Sequence, residues 1–306
     1  MQPDHFSRTA MGTAFMRAYH AAHDHPKIFD DFLAHHLITA AEYELIMARH
    51  LEVFRRTDPA RAAACPDQAS ALAGWMQSGA PQPITLGRAR YAEDNLEQAV
   101  RQQGVKQYVI LGAGMDTFAW RRPDLMASLQ VFEVDHPATQ AFKRHRLQQM
   151  DRETPEQLHF VPVDFDRENL ATALRRSAFD PAVPSFFGWL GVTYYLSRGA
   201  VCATLQAIAE VAPKGSAVSF DYLDNEAFVP EKVTRRVQIM MDLVRRIGEP
   251  MITGFEPSSL AADLAGLGLR LEEDLGPADI QARFFAGRRD GYRASEHAHF
   301  ARAVVA

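Results

Sequence analysis

Apolar residues recur at helical spacing along the first fifty positions. Met11, Phe15, Ala18 and Ala22 fall at i, i+4, i+7 and i+11, which places them on one stripe of a helix. Pro26 interrupts that stripe, and Asp30 to His36 starts a second helical stretch that runs on through Ala40–Phe54. Residues 57–83 contain Pro59, Pro66, Gly74, Gly79, Pro81 and Pro83 and read as a linker, with room for one short helix over Ala69–Gln77. Arg88–Gln103 is helical again, and Gly104 stands where a glycine closes a helix.

After Gly104 the period changes. Short apolar runs appear at Tyr108–Leu111, Leu129–Val134, His159–Val163, Ser185–Leu190 and Ala217–Tyr222, the pattern of strands buried on both faces. Helical segments at about 137–150, 167–178 and 198–212 separate them. Strands and helices alternating in this way predict an α/β fold, a parallel sheet with helices on both faces. The chain thus divides into a helical extension, residues 1–103, and an α/β domain, residues 104–306. Residues 223–257 break the alternation with a stripe of Val233, Val237, Met240, Val244 and Ile247, and with Arg235, Arg236, Arg245 and Arg246 elsewhere on the same helix. That helix either packs on the domain or caps the site as a lid.

Composition narrows the function classes. Apolar residues make up 47% of the 306, enough for a sizeable core. A formal charge of −5 argues against a general nucleic-acid binder, which needs a clustered basic face. Cys65 and Cys202 form no disulfide framework and no metal-ligand spacing, so a reducing, cytoplasmic setting without a metal is expected. No apolar run reaches the roughly 18 residues of a membrane span, and the first 30 residues lack the apolar stretch of a leader.

The candidate chemistry collects at strand ends. Leu111-Gly112-Ala113-Gly114-Met115-Asp116 follows the first strand and should open a helix. Glycines there allow positive φ and close approach of a ligand, although a tight turn without a ligand has the same sequence. A dinucleotide fingerprint would place a third glycine where this chain has Thr117, which disfavours a pyrophosphate but not a ligand without phosphates. Asp135 lies 21 residues beyond Gly114, at the end of the second strand, where a carboxylate can accept from ribose hydroxyls; Glu133 is a deeper candidate with a structural alternative. Asp164 can accept from an adenine amine and Phe165 can supply an apolar wall; helix capping is the plainer role for Asp164 and Asp166. Gly188-Trp189-Leu190-Gly191-Val192-Thr193-Tyr194-Tyr195 ends the fourth strand with aromatics that suit either a cavity floor or simple packing.

These motifs occur in order with Ser7-Arg-Thr-Ala-Met, Arg88-x-Arg90-Tyr-x-Glu-Asp, Phe132-Glu-Val-Asp-His-Pro and Arg283-Phe-Phe-Ala-Gly-Arg-Arg-Asp. Together they resemble the leucine carboxyl methyltransferase superfamily, and more narrowly its bacterial branch, which includes tetracenomycin-type polyketide carboxyl O-methyltransferases. The resemblance covers almost the whole chain. It implies a Rossmann-like class I methyltransferase sheet that binds S-adenosylmethionine (SAM) and releases S-adenosylhomocysteine. It implies that Arg88, with Arg90 second, grips the SAM carboxylate, that Gly112, Ala113 and Gly114 hold the methionine part, that Asp135 holds the ribose, and that Asp164 with Phe165 holds the adenine. The eukaryotic enzymes carry an acid where this chain has Leu190, which favours a small-molecule acceptor. A carboxylate acceptor is ionised at neutral pH and needs no general base, whereas a phenol would want one. His20, His136, Tyr194 and Tyr195 are the residues available for that task, and Arg17 could pair with an acceptor carboxylate or simply be solvated.

Overall fold

Helix starts in this chain are set by short polar side chains and prolines. In the computed structural model, which describes residues 7–150, 152–164 and 168–306, α1 (Arg8–His23) begins where the Ser7 side chain accepts from Ala10 N. α2 (Ala40–Thr57) begins at a capping box in which Thr39 and Glu42 satisfy each other's backbone N–H groups. The stretch expected to be a linker is instead helical: α3 (Pro59–Ala63), α4 (Gln68–Ser78) and the first turn of α5 (Pro81–Gln103). Pro59 and Pro81 stand at the first turns of their helices, and Asp58 and Asp67 cap α3 and α4, so the apparent breakers are starters. Conversely, Asp30–His36 supplies only turns and a 3₁₀ segment, Ala34–Leu37. Gly104, at φ 68°, closes α5 as expected.

The α/β part runs β1 (Gln107–Leu111), α6 (Phe118–Arg121), α7 (Pro123–Met126), β2 (Gln130–Asp135), α8 (Pro137–Gln149), β3 (Leu158–Pro162), α9 (Leu170–Arg175), β4 (Ser185–Trp189), α10 (Arg198–Val211), β5 (Ala217–Leu223), α11 (Arg235–Arg246), α12 (Leu260–Ala265), β6 (Leu269–Leu275), α13 (Pro277–Ile280) and β7 (Ala298–Val305). The seven strands lie in the order β3-β2-β1-β4-β5-β7-β6. The first five pair in parallel; β7 enters antiparallel between β5 and β6. All five strands expected from the sequence are present within a residue or two. β6 and β7 extend the sheet beyond them.

Strand alternation divides the core. Val109, Leu111, Phe132, Val134, Phe187 and Trp189 pack with α9, α10 and α12 on one face. Tyr108, Ile110, Val131 and Phe186 pack with α5, α6 and α7 on the other. Burying a phenylalanine such as Phe132 or Phe187, both fully enclosed, stabilises by about 1.5–3 kcal/mol each. α5 packs on β4, β5 and β7, so the last helix of the 1–103 extension is itself part of the α/β layering. α1, α2 and α4 form a second core around Phe15, Phe54 and Trp75, and Met115 of the glycine loop belongs to it.

Residues 223–257 form a closed excursion from the sheet. The chain leaves at Leu223 and returns at Phe255, whose N–H donates to Leu223 O at 3.0 Å while its carbonyl accepts from Asn225 N at 3.0 Å. α11 lies in that excursion. Val237 and Met240 pack beside Tyr194, and Ile239 and Leu243 pack against the N-terminal helices. No described helix is long and apolar enough to cross a membrane.

Candidate active site

The order of strands reverses between β1 and β4, so the carboxyl ends of β3, β2, β1 and β4 line one crevice. The floor is the Gly112–Gly114 turn. Gly112 sits at φ 67°, and a Cβ there would lie 2.6 Å from Val192 Cγ2, so only glycine fits. The N–H groups of Gly112 and Ala113 donate to Val134 O at 2.8 and 3.2 Å, and Gly114 N donates to Asp135 Oδ2 at 2.5 Å. The turn is thereby bound to β2. No helix opens at the turn itself. Residues 115–117 come first, and the single turn α6 starts at Phe118; the Thr117 hydroxyl donates to Asp31 at 2.6 Å instead of capping that turn.

Asp135 stands at the end of β2 as expected. Its second oxygen accepts from His136 N at 2.6 Å. Burial pushes its carboxyl above the usual range despite those two backbone bonds. A carboxylate offers about four acceptor sites, so both oxygens keep capacity for ribose hydroxyls. Glu133 does not reach the crevice mouth. It is 1% exposed, and its Oε2 is paired at 2.6 Å with Lys143, which is equally buried. Its other oxygen has no partner, and burial outweighs Lys143, raising the carboxyl to about 7. Asp164 follows the end of β3, and its carbonyl accepts from Glu168 N at 2.9 Å. Phe165 and Asp166 lie outside the described residues.

At the β4 end, Arg88 of α5 enters the site and is buried. Its Nη1 donates to Tyr194 Oη at 2.6 Å and to Asp221 Oδ2 at 3.1 Å. Asp221, on β5, uses its other oxygen to accept from Gly191 N at 2.6 Å. Leu190 precedes that glycine. Gly191 is at φ 75°, and a Cβ there would collide with the Arg88 guanidinium, so the fourth-strand glycine is what admits Arg88 to the crevice. Nη2 lies against the Gly191 backbone, while both bonds above use Nη1. The rest of the guanidinium's five-donor fork is the part suited to a ligand carboxylate. Arg90, the second candidate, points elsewhere and pairs with Asp94 at 2.8 Å, half exposed.

The residues expected to supply a base are engaged otherwise. His20 is fully buried; its Nδ1 lies 2.7 Å from Asp24 and its Nε2 accepts from Ile28 N at 2.8 Å, so both ring nitrogens serve the fold. The His136 side chain accepts from Ala138 N at 3.2 Å and caps α8. Burial pushes the Tyr194 phenol well above its ordinary pKa, and burial does the same to Tyr195 against the opposing charge of Arg88. Tyr194 therefore positions Arg88 and keeps its proton. Tyr195 packs edge-on against it, ring centroids 4.9 Å apart.

Two carboxylates join the helical extension to this crevice. Asp31 is buried and accepts from Arg17 Nε at 2.8 Å as well as from Thr117; Arg17 Nη2 also donates to Met115 O at 2.6 Å. Burial alone would raise the Asp31 carboxyl, but Arg17 and Arg121 hold it below its usual value. Arg17 thus ties the glycine loop to Asp31. Glu249, three residues past α11, accepts from Arg8 N at 3.0 Å, Thr9 N at 3.2 Å, Ser7 Oγ at 3.3 Å and the Thr9 hydroxyl. It ties the 223–257 excursion to the start of α1. Sequence reasoning overlooked Asp221, Asp31 and Glu249. Asp221 alone had a signal, an acid inside the apolar run Ala217–Leu223.

Residues 10–209 match the sequence pattern of the leucine carboxyl methyltransferase family. A Bacillus subtilis (strain 168) protein, YktD, named as an S-adenosyl-L-methionine-dependent methyltransferase, is 38% identical over 307 residues, spanning 99% of each chain. A Streptomyces coelicolor protein with the same kind of name is 32% identical over 165 residues, 51% of this chain and 53% of its own length. Among solved structures, a DUF574-family protein of Streptomyces avermitilis superposes with a TM-score of 0.58 at 14% identity, covering 96% of this chain and 97% of that one. A Thermobifida fusca protein titled as a methyltransferase gives a TM-score of 0.53 at 13% identity, covering 83% and 94%. Both share the fold.

Proposed function

The chain belongs to the leucine carboxyl methyltransferase family and is a SAM-dependent methyltransferase, and from that premise we propose that it methylates a carboxylate of a small organic acid to a methyl ester. The observation that carries this reading is the state of the side chains suited to proton abstraction. His20 is locked between Asp24 and Ile28, and the Tyr194 and Tyr195 phenols are pushed away from ionisation. A carboxylate acceptor needs no proton removed at pH 7, whereas a phenol, with an ordinary pKa of about 10, does.

The crevice fits SAM on its own chemistry. Asp135 has acceptor capacity for the ribose, Arg88 has guanidinium donors beyond the Nη1 used by Tyr194 and Asp221, and the Gly112–Gly114 turn allows close approach. When bound, SAM supplies a methyl group on a positively charged sulfur, an already activated leaving group. The protein's task is then orientation and exclusion of water. Asp31 and Arg17 fix the loop, and Asp221 and Tyr194 fix Arg88.

The test is incubation with methyl-labelled SAM and a panel of aromatic, aliphatic and polyketide acids beside matched phenols. The expected product is a labelled methyl ester released by mild base. Label that survives base treatment, on a phenolic oxygen or on nitrogen, overturns the carboxylate reading.

A further inference from the structure

The first turn of α1 touches the chain just beyond three of the strands that line the crevice. Ala10 rests on the glycine turn: a Cβ at Gly114, after β1, would lie 3.1 Å from Ala10 Cβ. Ser7 N donates at 3.4 Å to Oγ1 of Thr139, in the first turn of α8 after β2. The Thr9 side chain lies beside the phenol of Tyr195, after β4. Residues 7–10 thus span the carboxyl ends of β2, β1 and β4, over the place that the reading above gives to SAM.

This turn is held differently from the rest of its helix. Beyond it α1 is anchored in the interior: Met11, Phe15 and Tyr19 are buried, Arg17 is tied to Asp31 and to Met115 O, and His20 is locked between Asp24 and Ile28. None of residues 7–10 is buried. The first N–H groups of a helix have no partner within it. Those of Arg8 and Thr9 donate to the Glu249 carboxylate at 3.0 and 3.2 Å, and the Ser7 and Thr9 hydroxyls join them. This clasp lies near the surface, with Arg8 exposed and Glu249 half-buried, so water can take over its hydrogen bonds when it opens.

Gly12 stands where the two kinds of anchoring meet. A Cβ there would meet nothing within 4 Å, and its φ is not positive, so neither packing nor a left-handed backbone calls for glycine. Glycine inside a helix weakens it relative to alanine. A weak helical link between a surface-held turn and a buried remainder can absorb the rotation of a hinge.

We propose that residues 7–10 form a flap over the SAM crevice, hinged at Gly12 and clasped by Glu249, and that its opening sets the rate at which SAM enters and the demethylated product leaves. The task of the flap rests on the crevice being the SAM site; its movement does not.

Two substitutions that touch no proposed SAM contact should drive the flap in opposite directions. Glu249→Gln keeps the shape of the side chain but sets an amide nitrogen against the α1 donors in place of one oxygen. Gly12→Ala strengthens the helix without creating a clash. The experiment measures SAM association and dissociation by stopped flow on the full chain, and amide hydrogen exchange over residues 8–12 without ligand. In Glu249→Gln both SAM rates should rise about fivefold and exchange should quicken. In Gly12→Ala both rates should fall about threefold and exchange should slow. Because a flap gates both directions, Kd should move by less than about threefold in either variant, whereas plain damage to the site raises Kd through dissociation alone. Rates that stay at the wild-type value in either variant, or a change in dissociation only, overturn the proposal while leaving the crevice as the SAM site. If exchange responds as expected in both variants but the wild-type chain binds no SAM, the reading of the crevice fails and the gating role falls with it, while the hinged turn stands.

Discussion

Replacing Arg88 tests whether that residue is structural, functional or both, because the cluster around it allows the two to be separated. Arg88→Met removes the partner of Asp221, which is 1% exposed and would be left as a buried, uncompensated carboxylate. That situation costs about 3–5 kcal/mol of stability. Asp221→Asn added to Arg88→Met removes the stranded charge, and the asparagine Oδ1 still accepts from Gly191 N, so the double variant should recover to within about 1–2 kcal/mol of wild type. SAM affinity should not recover. Loss of charge-assisted bonds to the ligand carboxylate is worth about 1.5–3 kcal/mol, or roughly a 10- to 150-fold rise in Kd. Urea unfolding measures the first quantity and calorimetry with SAM the second. A double variant that is stable and binds SAM as tightly as wild type would refute the ligand role and leave Arg88 a buried structural cation.

Three further outcomes follow from the same contacts. Gly112→Ala forces an alanine to φ 67° and into Val192, so it should destabilise by at least about 1–2 kcal/mol; Val192→Ala should relieve only the collision, as read by thermal melts of the single and double variants. The Glu133 carboxyl, raised from 4.5 to about 7 by burial, contributes stability that is present below about pH 4.5 and lost as pH rises through 7. Glu133→Gln should flatten that part of the stability–pH curve while leaving SAM affinity within about threefold; a steep loss of SAM binding would return Glu133 to the ligand shell. Glu249→Ala removes the carboxylate that satisfies Arg8 N and Thr9 N and should weaken the α1–α11 junction by about 1–2 kcal/mol, seen as faster tryptic cleavage at the exposed Arg245 and Arg246.

β1, β4 and β5 were legible because each is a mostly apolar run buried along its whole length, so sequence and burial carry the same information; β3, at the sheet edge and only partly buried, was legible from its apolar residues and its spacing. The linker reading of residues 57–83 failed for a definable reason. Proline inside a helix breaks it, but proline at its first turn does not, and Asp58-Pro59 and Asp67 supply the caps that decide between the two. β7 hides its strand character behind Arg302, whose guanidinium turns aside to Gln103 at 3.1 Å and Glu272 at 3.3 Å while its backbone continues the ladder.

The two halves of the site differ in how far apart their parts lie along the chain. The turn at Gly112–Gly114 and its anchor Asp135 are 21 residues apart and joined by one βαβ passage, so a motif read locally contains both members of the contact. Arg88 and Asp221 are 133 residues apart, and Thr9 and Glu249 are 240 apart. Neither partner carries a mark of the other. Asp221 reads only as an acid misplaced in a buried strand, and its meaning depends on a glycine at 191 that leaves room for a guanidinium. Contacts closed by one local βαβ passage are therefore legible in a contiguous motif, while Arg88 with Asp221 and Thr9 with Glu249 become legible only once the fold has brought them together.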